Sequence, residues 1–178
     1  RDLVRQTPEE RRRFAQETAA AISQAAQLEG ELEVEADRYP GTLRYTVTVP
    51  RFAVRDGDYL YFNLPAQMAV RLPALPNQRV NPFYSEDAVT VVTRNTVHLP
   101  VGALRLVPED TELVAPSGWG HLTQTVDRPD AAGEPLRVTQ SLQLAPALVQ
   151  PAAYDEVQQV SARMRHPSLR VVLLKLEP

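Results

Sequence analysis

The sequence predicts a mainly β chain: antiparallel strands joined by turns, with one helix near the N-terminus and a second before the last strand. Three observations carry this. The stretch Gly41–Pro65 alternates apolar and polar residues on both sides of an Asp-Gly turn signal, the pattern of a hairpin with one buried and one wet face. From Val89 to Leu144, short alternating or β-branched runs recur between breaks that carry Pro and Gly. Two other stretches, residues 7–29 and the segment opened by Pro151, show three-and-four apolar spacing and helix start signals instead.

Composition bounds the reading. At 178 residues with 43% apolar content, the chain has the material for a core of ordinary size. Its net charge of −3, with both signs interspersed, lacks the clustered positive patch that a nucleic-acid surface needs. Arginine supplies all the basic residues except Lys175, which reads as coding bias in a GC-rich genome and not as a set of phosphate contacts. The absence of cysteine excludes thiolate nucleophiles, disulfides and Cys-based metal sites, and leaves the compartment open. No apolar run approaches the length of a membrane span. The chain starts at Arg1-Asp2-Leu3 without Met or a signal peptide, so we expect a processed chain or a piece of a longer one.

The elements follow in order. Thr7, Pro8 and Glu10 form a capping box that opens a helix over 7–29, with Phe14, Thr18, Ala21, Ile22, Ala25 and Leu28 as an Ala-rich stripe and Gly30 ending it left-handed. The run Arg11-Arg12-Arg13 lies near the positive end of the helix dipole, which favours a solvated or interdomain face over an anion site. Glu31 to Ala36 is a strand with Leu32, Val34 and Ala36 inward and three carboxylates outward. Side chains on one flat strand diverge, so a Ca²⁺ site there is disfavoured. Arg38-Tyr39-Pro40-Gly41 turns the chain into a hairpin whose arms are Leu43–Val49 and Tyr59–Leu64, with Asp56-Gly57 between.

Beyond Pro65, the prolines at 65, 73, 76 and 82 describe a long connection or an edge segment. Strands are predicted at Val89–Val92 and Asn95–Pro100, as one strand or a pair, then at Ala103–Val107, Glu112–Ala115, Gly120–Asp127 and Leu136–Leu144. Turns are expected at Val101-Gly102, Pro116-Ser117-Gly118 and Asp130–Pro135. The second helix has Asp155 and Glu156 early and Arg163, Arg165 and His166 late, which complements the dipole. Its stripe is Tyr154, Val157, Val160, Ser161 and Met164, and Pro167 stops it. Leu169–Leu176 is apolar on both faces and reads as a central strand, or one covered by a helix, whose removal would unfold the chain.

No complete chemical site is legible. His98, His121 and His166 lack metal-ligand spacing, and there is no G-x-S-x-G elbow. We assign no catalytic residue, metal or cofactor. The candidate binding surface is aromatic: Trp119 in Ser117-Gly118-Trp119-Gly120, and Tyr59, Tyr61 and Tyr84 as a platform for a sugar or a peptide. For all four the structural reading leads, with Trp119 covering one end of the core and the tyrosines serving as outward strand residues.

The runs GTLRYTVTVPRFAVRDGDYLYFNLP, VTVVTRNTVHLP and LRVTQSLQLAPALVQPAAYDEVQQVSARMRHPSLRVVLLK together resemble the C-terminal part of large, uncharacterised bacterial transglutaminase-like proteins. The family's Cys-His-Asp core cannot map onto a cysteine-free chain, so no catalytic residue carries over. The resemblance implies an antiparallel β-sandwich over residues 31–178 preceded by a linking helix within 1–30. It further implies a non-catalytic accessory domain beside a transglutaminase-like core of the same polypeptide, in a periplasmic or extracellular protein. The alternative function is a carbohydrate- or peptide-binding module; the accessory-domain reading predicts an apolar patch on the helix from Thr7 to Leu28 and no turnover by the isolated chain.

Overall fold

In the computed structural model, residues 7–35, 41–68, 80–86, 88–99, 103–127 and 134–176 are described. Among them are twelve strands and two α-helices, in two compact units, Arg1–Phe52 and Ala53–Pro178.

The first unit opens with helix α1 (Pro8–Ile22), and the capping box is formed as its sequence requires: the Thr7 hydroxyl accepts from the Glu10 N–H while the Glu10 carboxylate accepts from the Thr7 N–H. The helix stops short of the expected end at residue 29. Ser23 is extended; its side chain accepts from Ala25 N at 3.2 Å and its carbonyl from Ala26 N at 3.0 Å, the local competition by which serine ends helices. The buried positions are Ala15 and Ala19, with Phe14, Thr18 and Ile22 half-buried and Ala21 and Ala25 exposed, so the inward face is rotated from the expected stripe.

Strand β1 (Gln27–Glu35) takes over the last predicted helical residues and pairs antiparallel with β2 (Thr42–Thr48). Glu31, Glu33 and Glu35 face outward as expected. Gly30 does adopt positive φ, +74°, but inside a strand: the register moves from Glu29 opposite Thr46 to Glu33 opposite Arg44, and this bulge needs the freedom that the missing Cβ provides. The contacts thus divide the chain after Phe52, not at residue 30, because helix α1 shares its unit with both of these strands. Ala36 and the turn at 38–40 lie outside the described residues.

The expected central hairpin is corrected. Thr42–Thr48 pairs with β1, and the arm that meets β4 (Tyr59–Asn63) across the Asp56-Gly57 turn is the short β3 (Val54–Asp56). Gly57 has φ +56°, the conformation that the Asp-Gly turn requires, while the strand that pairs with β4 across it differs from the expected one. An alternating strand shows which of its faces is buried, but not which neighbour it joins.

The second unit is an antiparallel β-sandwich of two four-stranded sheets. One has the order β6 (Val89–Val97), β10 (Leu136–Leu144), β9 (Gly120–Asp127), β8 (Thr111–Val114); the other β3, β4, β12 (Val171–Leu176), β7 (Ala103–Val107). The predicted pair within 89–100 is one nine-residue strand. Inward residues alternate as a sandwich demands: Leu136, Val138 and Leu142 on β10, Leu122 and Val126 on β9, Val172 and Leu174 on β12, Phe62 on β4. As its two apolar faces predicted, β12 is central, between β4 and β7. A two-stranded sheet that the sequence did not reveal joins β5 (Phe83–Ser85) to β11 (Ala147–Val149). Pro151–Ala153 forms a 3-10 turn leading into α2 (Tyr154–Arg165), which buries Tyr154, Val157 and Val160 against Leu122, Leu142, Val149 and Leu169. The turn segments at 101–102 and 130–133 and the proline-bearing passage at 69–79 lie outside the described residues.

Candidate functional site

The four aromatic candidates do not form one surface. Trp119 is 7% exposed and belongs to the α2 core cluster, the position of a core cover. The loop around it is tied down: Ser117 donates through both its N–H and its hydroxyl to Glu156 of α2, and Gly118, at φ +73°, donates to Ala115 O at 2.7 Å. The Trp119 indole Nε1 is buried and has no hydrogen-bond partner among the described residues. Tyr84 lies on β5, in the small sheet, and is exposed. Tyr59 and Tyr61 alone share a face, two residues apart on β4, at 44% and 42% exposure.

The register extends this pair into a surface. Val54 stands opposite Tyr61, Tyr61 opposite Leu173, and Leu173 opposite Val107, one row across all four strands of the β3-β4-β12-β7 sheet. The flanking Phe62, Val172 and Leu174 are buried, so the alternation turns the Val54–Tyr61–Leu173 row outward. Val54 is 48% exposed, and Asp56, Tyr59 and Lys175 make the adjacent, more polar row.

A second constellation, absent from the sequence reading as a site, is polar and buried. Gln140 is the register partner of Gln124, and its Nε2 donates to Gln124 Oε1 at 2.7 Å and to Leu169 O, while its Oε1 accepts from the Thr93 hydroxyl at 3.1 Å. Gln124 Nε2 donates to Glu109 O at 2.6 Å and Ser168 O at 3.2 Å. On β6, Asn95 takes the Ala66 N–H at 2.9 Å and gives to the Ala66 carbonyl at 3.0 Å. Uncharged amides neither donate nor accept protons in acid–base steps. Their effect is architectural, because they fasten the backbone that follows β4 and the backbone that precedes β12 to the opposite sheet, and each buried carbonyl so satisfied avoids a desolvation penalty. The signal that would have found them is an amide at an inward position of an otherwise apolar alternation.

The histidines have separate surroundings. His121 Nε2 lies 3.0 Å from Glu112 across β9 and β8, His166 Nδ1 lies 2.8 Å from the Ser168 hydroxyl, and His98 follows β6 on the surface. Arg11, Arg12 and Arg13 are exposed on α1. Arg44 bonds Glu35 at 2.6 Å, and that hydrogen bond is the first cause of its raised pKa. Among the described residues no three His, Asp or Glu side chains cluster as metal ligands, and no helix is long and apolar enough to cross a membrane. No family model, curated protein or solved structure matches the chain.

Proposed function

We propose that this chain is a non-catalytic accessory domain, a β-sandwich working by contact beside a transglutaminase-like core of the same polypeptide, in a periplasmic or extracellular bacterial protein. The observation that supports contact as its mode of action is the outward row Val54–Tyr61–Leu173, with Tyr59 beside it. Tyrosine within an apolar patch gives large contact area with few rotors to immobilise, which is why such residues dominate binding energies. Titration calorimetry with the transglutaminase-like region encoded in the same reading frame tests this. Association is expected, weakened about tenfold or more by Tyr61→Asp; no heat of association would overturn the reading.

The Tyr59–Tyr61 pair also favours a second reading, a carbohydrate- or peptide-binding module, since exposed rings on a rigid strand make a stacking platform. A glycan and peptide array decides between them. A signal lost in Tyr61→Ala and kept in Tyr84→Ala would favour the module over the accessory domain.

A further inference from the structure

The sheet edges of this molecule are not equivalent. Strand β3 has three residues, β5 and β11 have three each, and β8 has four. Strand β7 carries a register shift against β12 between Leu173 and Leu174, and β1 carries one between Glu29 and Glu33. Short length and bulges are the ordinary devices that stop an edge from recruiting another strand. Strand β6 has neither. It runs nine residues, Val89–Val97, in unbroken register with β10, with no Pro or Gly and one charge, Arg94. It lies at the end of its sheet, and among the described residues no strand pairs with its other side.

The sequence of that edge, VTVVTRNTV, is self-complementary under a two-fold axis through Thr93. Antiparallel pairing with a second copy sets Val89 opposite Val97, Thr90 opposite Thr96, Val91 opposite Asn95, Val92 opposite Arg94, and Thr93 opposite itself. Like residues meet at the ends and centre. The single charge meets the aliphatic Val92, so no like charges face each other, whereas a one-residue slip toward Arg94 would set the two arginines together at the axis. The exposed face of β6 consists of Thr90, Val92, Arg94 and Thr96, side chains suited to cross-strand packing.

We propose that the chain forms a two-fold dimer through β6, joining two β6-β10-β9-β8 sheets into one eight-stranded sheet about Thr93. An isologous contact of this kind closes on itself and does not propagate into fibres. It uses the sheet edge and leaves the outward row of the other sheet free, so it stands independently of the accessory-domain reading.

The test exploits the facing of Val92 and Arg94, which the symmetry repeats. Val92→Glu and Val92→Lys remove the same apolar contact from a residue that is 41% exposed in one chain, so both variants are expected to fold; their melting curves check this. Only this register sets the new Glu against the partner copy's arginine, and the new Lys likewise. Sedimentation velocity of the full chain over a concentration series is expected to show a monomer–dimer equilibrium for the wild type. Val92→Glu should dimerise more tightly than Val92→Lys by about tenfold or more, with the gap narrowing in high salt. Val114→Lys, on β8 at the other edge of the sheet, should leave the equilibrium unchanged. A wild type monomeric at every concentration overturns the proposal, as does a dimer that responds equally to Glu and Lys or is weakened by the β8 variant.

Discussion

The two units bury different things. Among the described residues of the first, the buried side chains are Ala15 and Ala19, and the larger apolar residues, Phe14, Leu28, Leu32, Val34, Leu43 and Val47, are only half-buried. In the second, Leu122, Leu136, Leu142, Val138, Val172 and Leu174 are fully excluded from water, and two glutamines are buried with their hydrogen bonds made. The alternating patterns of β2 and β10 look alike in sequence. What differs is the number of neighbours. β10 is flanked on both sides and roofed by a second sheet and a helix, whereas β2 has one partner strand and belongs to a two-stranded ribbon, an arrangement that is marginal alone. Pattern sets the inward face; flanking layers set how deep that face goes.

The sharpest break of this comparison is to separate the units. Residues 53–178 alone are expected to keep a cooperative thermal transition by circular dichroism, and residues 1–52 alone to show none. A cooperative melt from the short piece would show that shallow burial suffices. Next, Leu142→Ala should cost about 2–5 kcal/mol in urea unfolding, the range for a leucine lost from a closed core. Leu28→Ala in the first unit should cost about 1 kcal/mol or less, because a half-buried side chain forfeits less transfer energy and leaves no cavity. Equal costs would erase the distinction.

A third, smaller effect concerns the amides. Gln140→Leu keeps volume and removes the donor to Gln124 and Leu169 O, so about 1–3 kcal/mol should be lost, since unpaired buried acceptors cost more than a hydrogen bond adds. The smallest effect is local to α1. The Thr7 backbone N–H, and then its hydroxyl, hold the Glu10 carboxyl below its ordinary value. Because the folded pKa is the lower one, this support is complete above the unfolded value and is lost as pH falls through the folded value. Amide protection in the first turn of α1, taken relative to the unfolded chain at each pH, should fall over that acid window, and Thr7→Ala should abolish that change. An unchanged profile in Thr7→Ala would mean the capping box does not set it.

Much of this was legible in the chain. The capping box, the Asp-Gly turn, the bounds of Gly120–Asp127 and Leu136–Leu144, the second helix and the central final strand all rest on local signals between residues a few positions apart. The failures share one cause. Beyond the turn where Ser23 ends the first helix, residues 27–35 pair with β2 in place of further helical turns. Gly30 bent a strand in place of ending a helix, and Thr42–Thr48 paired backward to β1, not forward to β4. Among the aromatic residues, Trp119 packs with α2 in the core, as the structural reading had it, and Tyr84 lies in a small sheet that the sequence did not reveal.

What the sequence determined by itself is therefore the kind and facing of each element, because side-chain period, caps and turn residues act within a few residues of backbone. Partner choice was decided only in three dimensions. It placed Val54, Tyr61, Leu173 and Val107 in one row, set Gln124 against Gln140, and left β6 as the long regular edge. Strand pairing is a competition among all edges of the chain for the same backbone hydrogen bonds, and no single stretch contains its result.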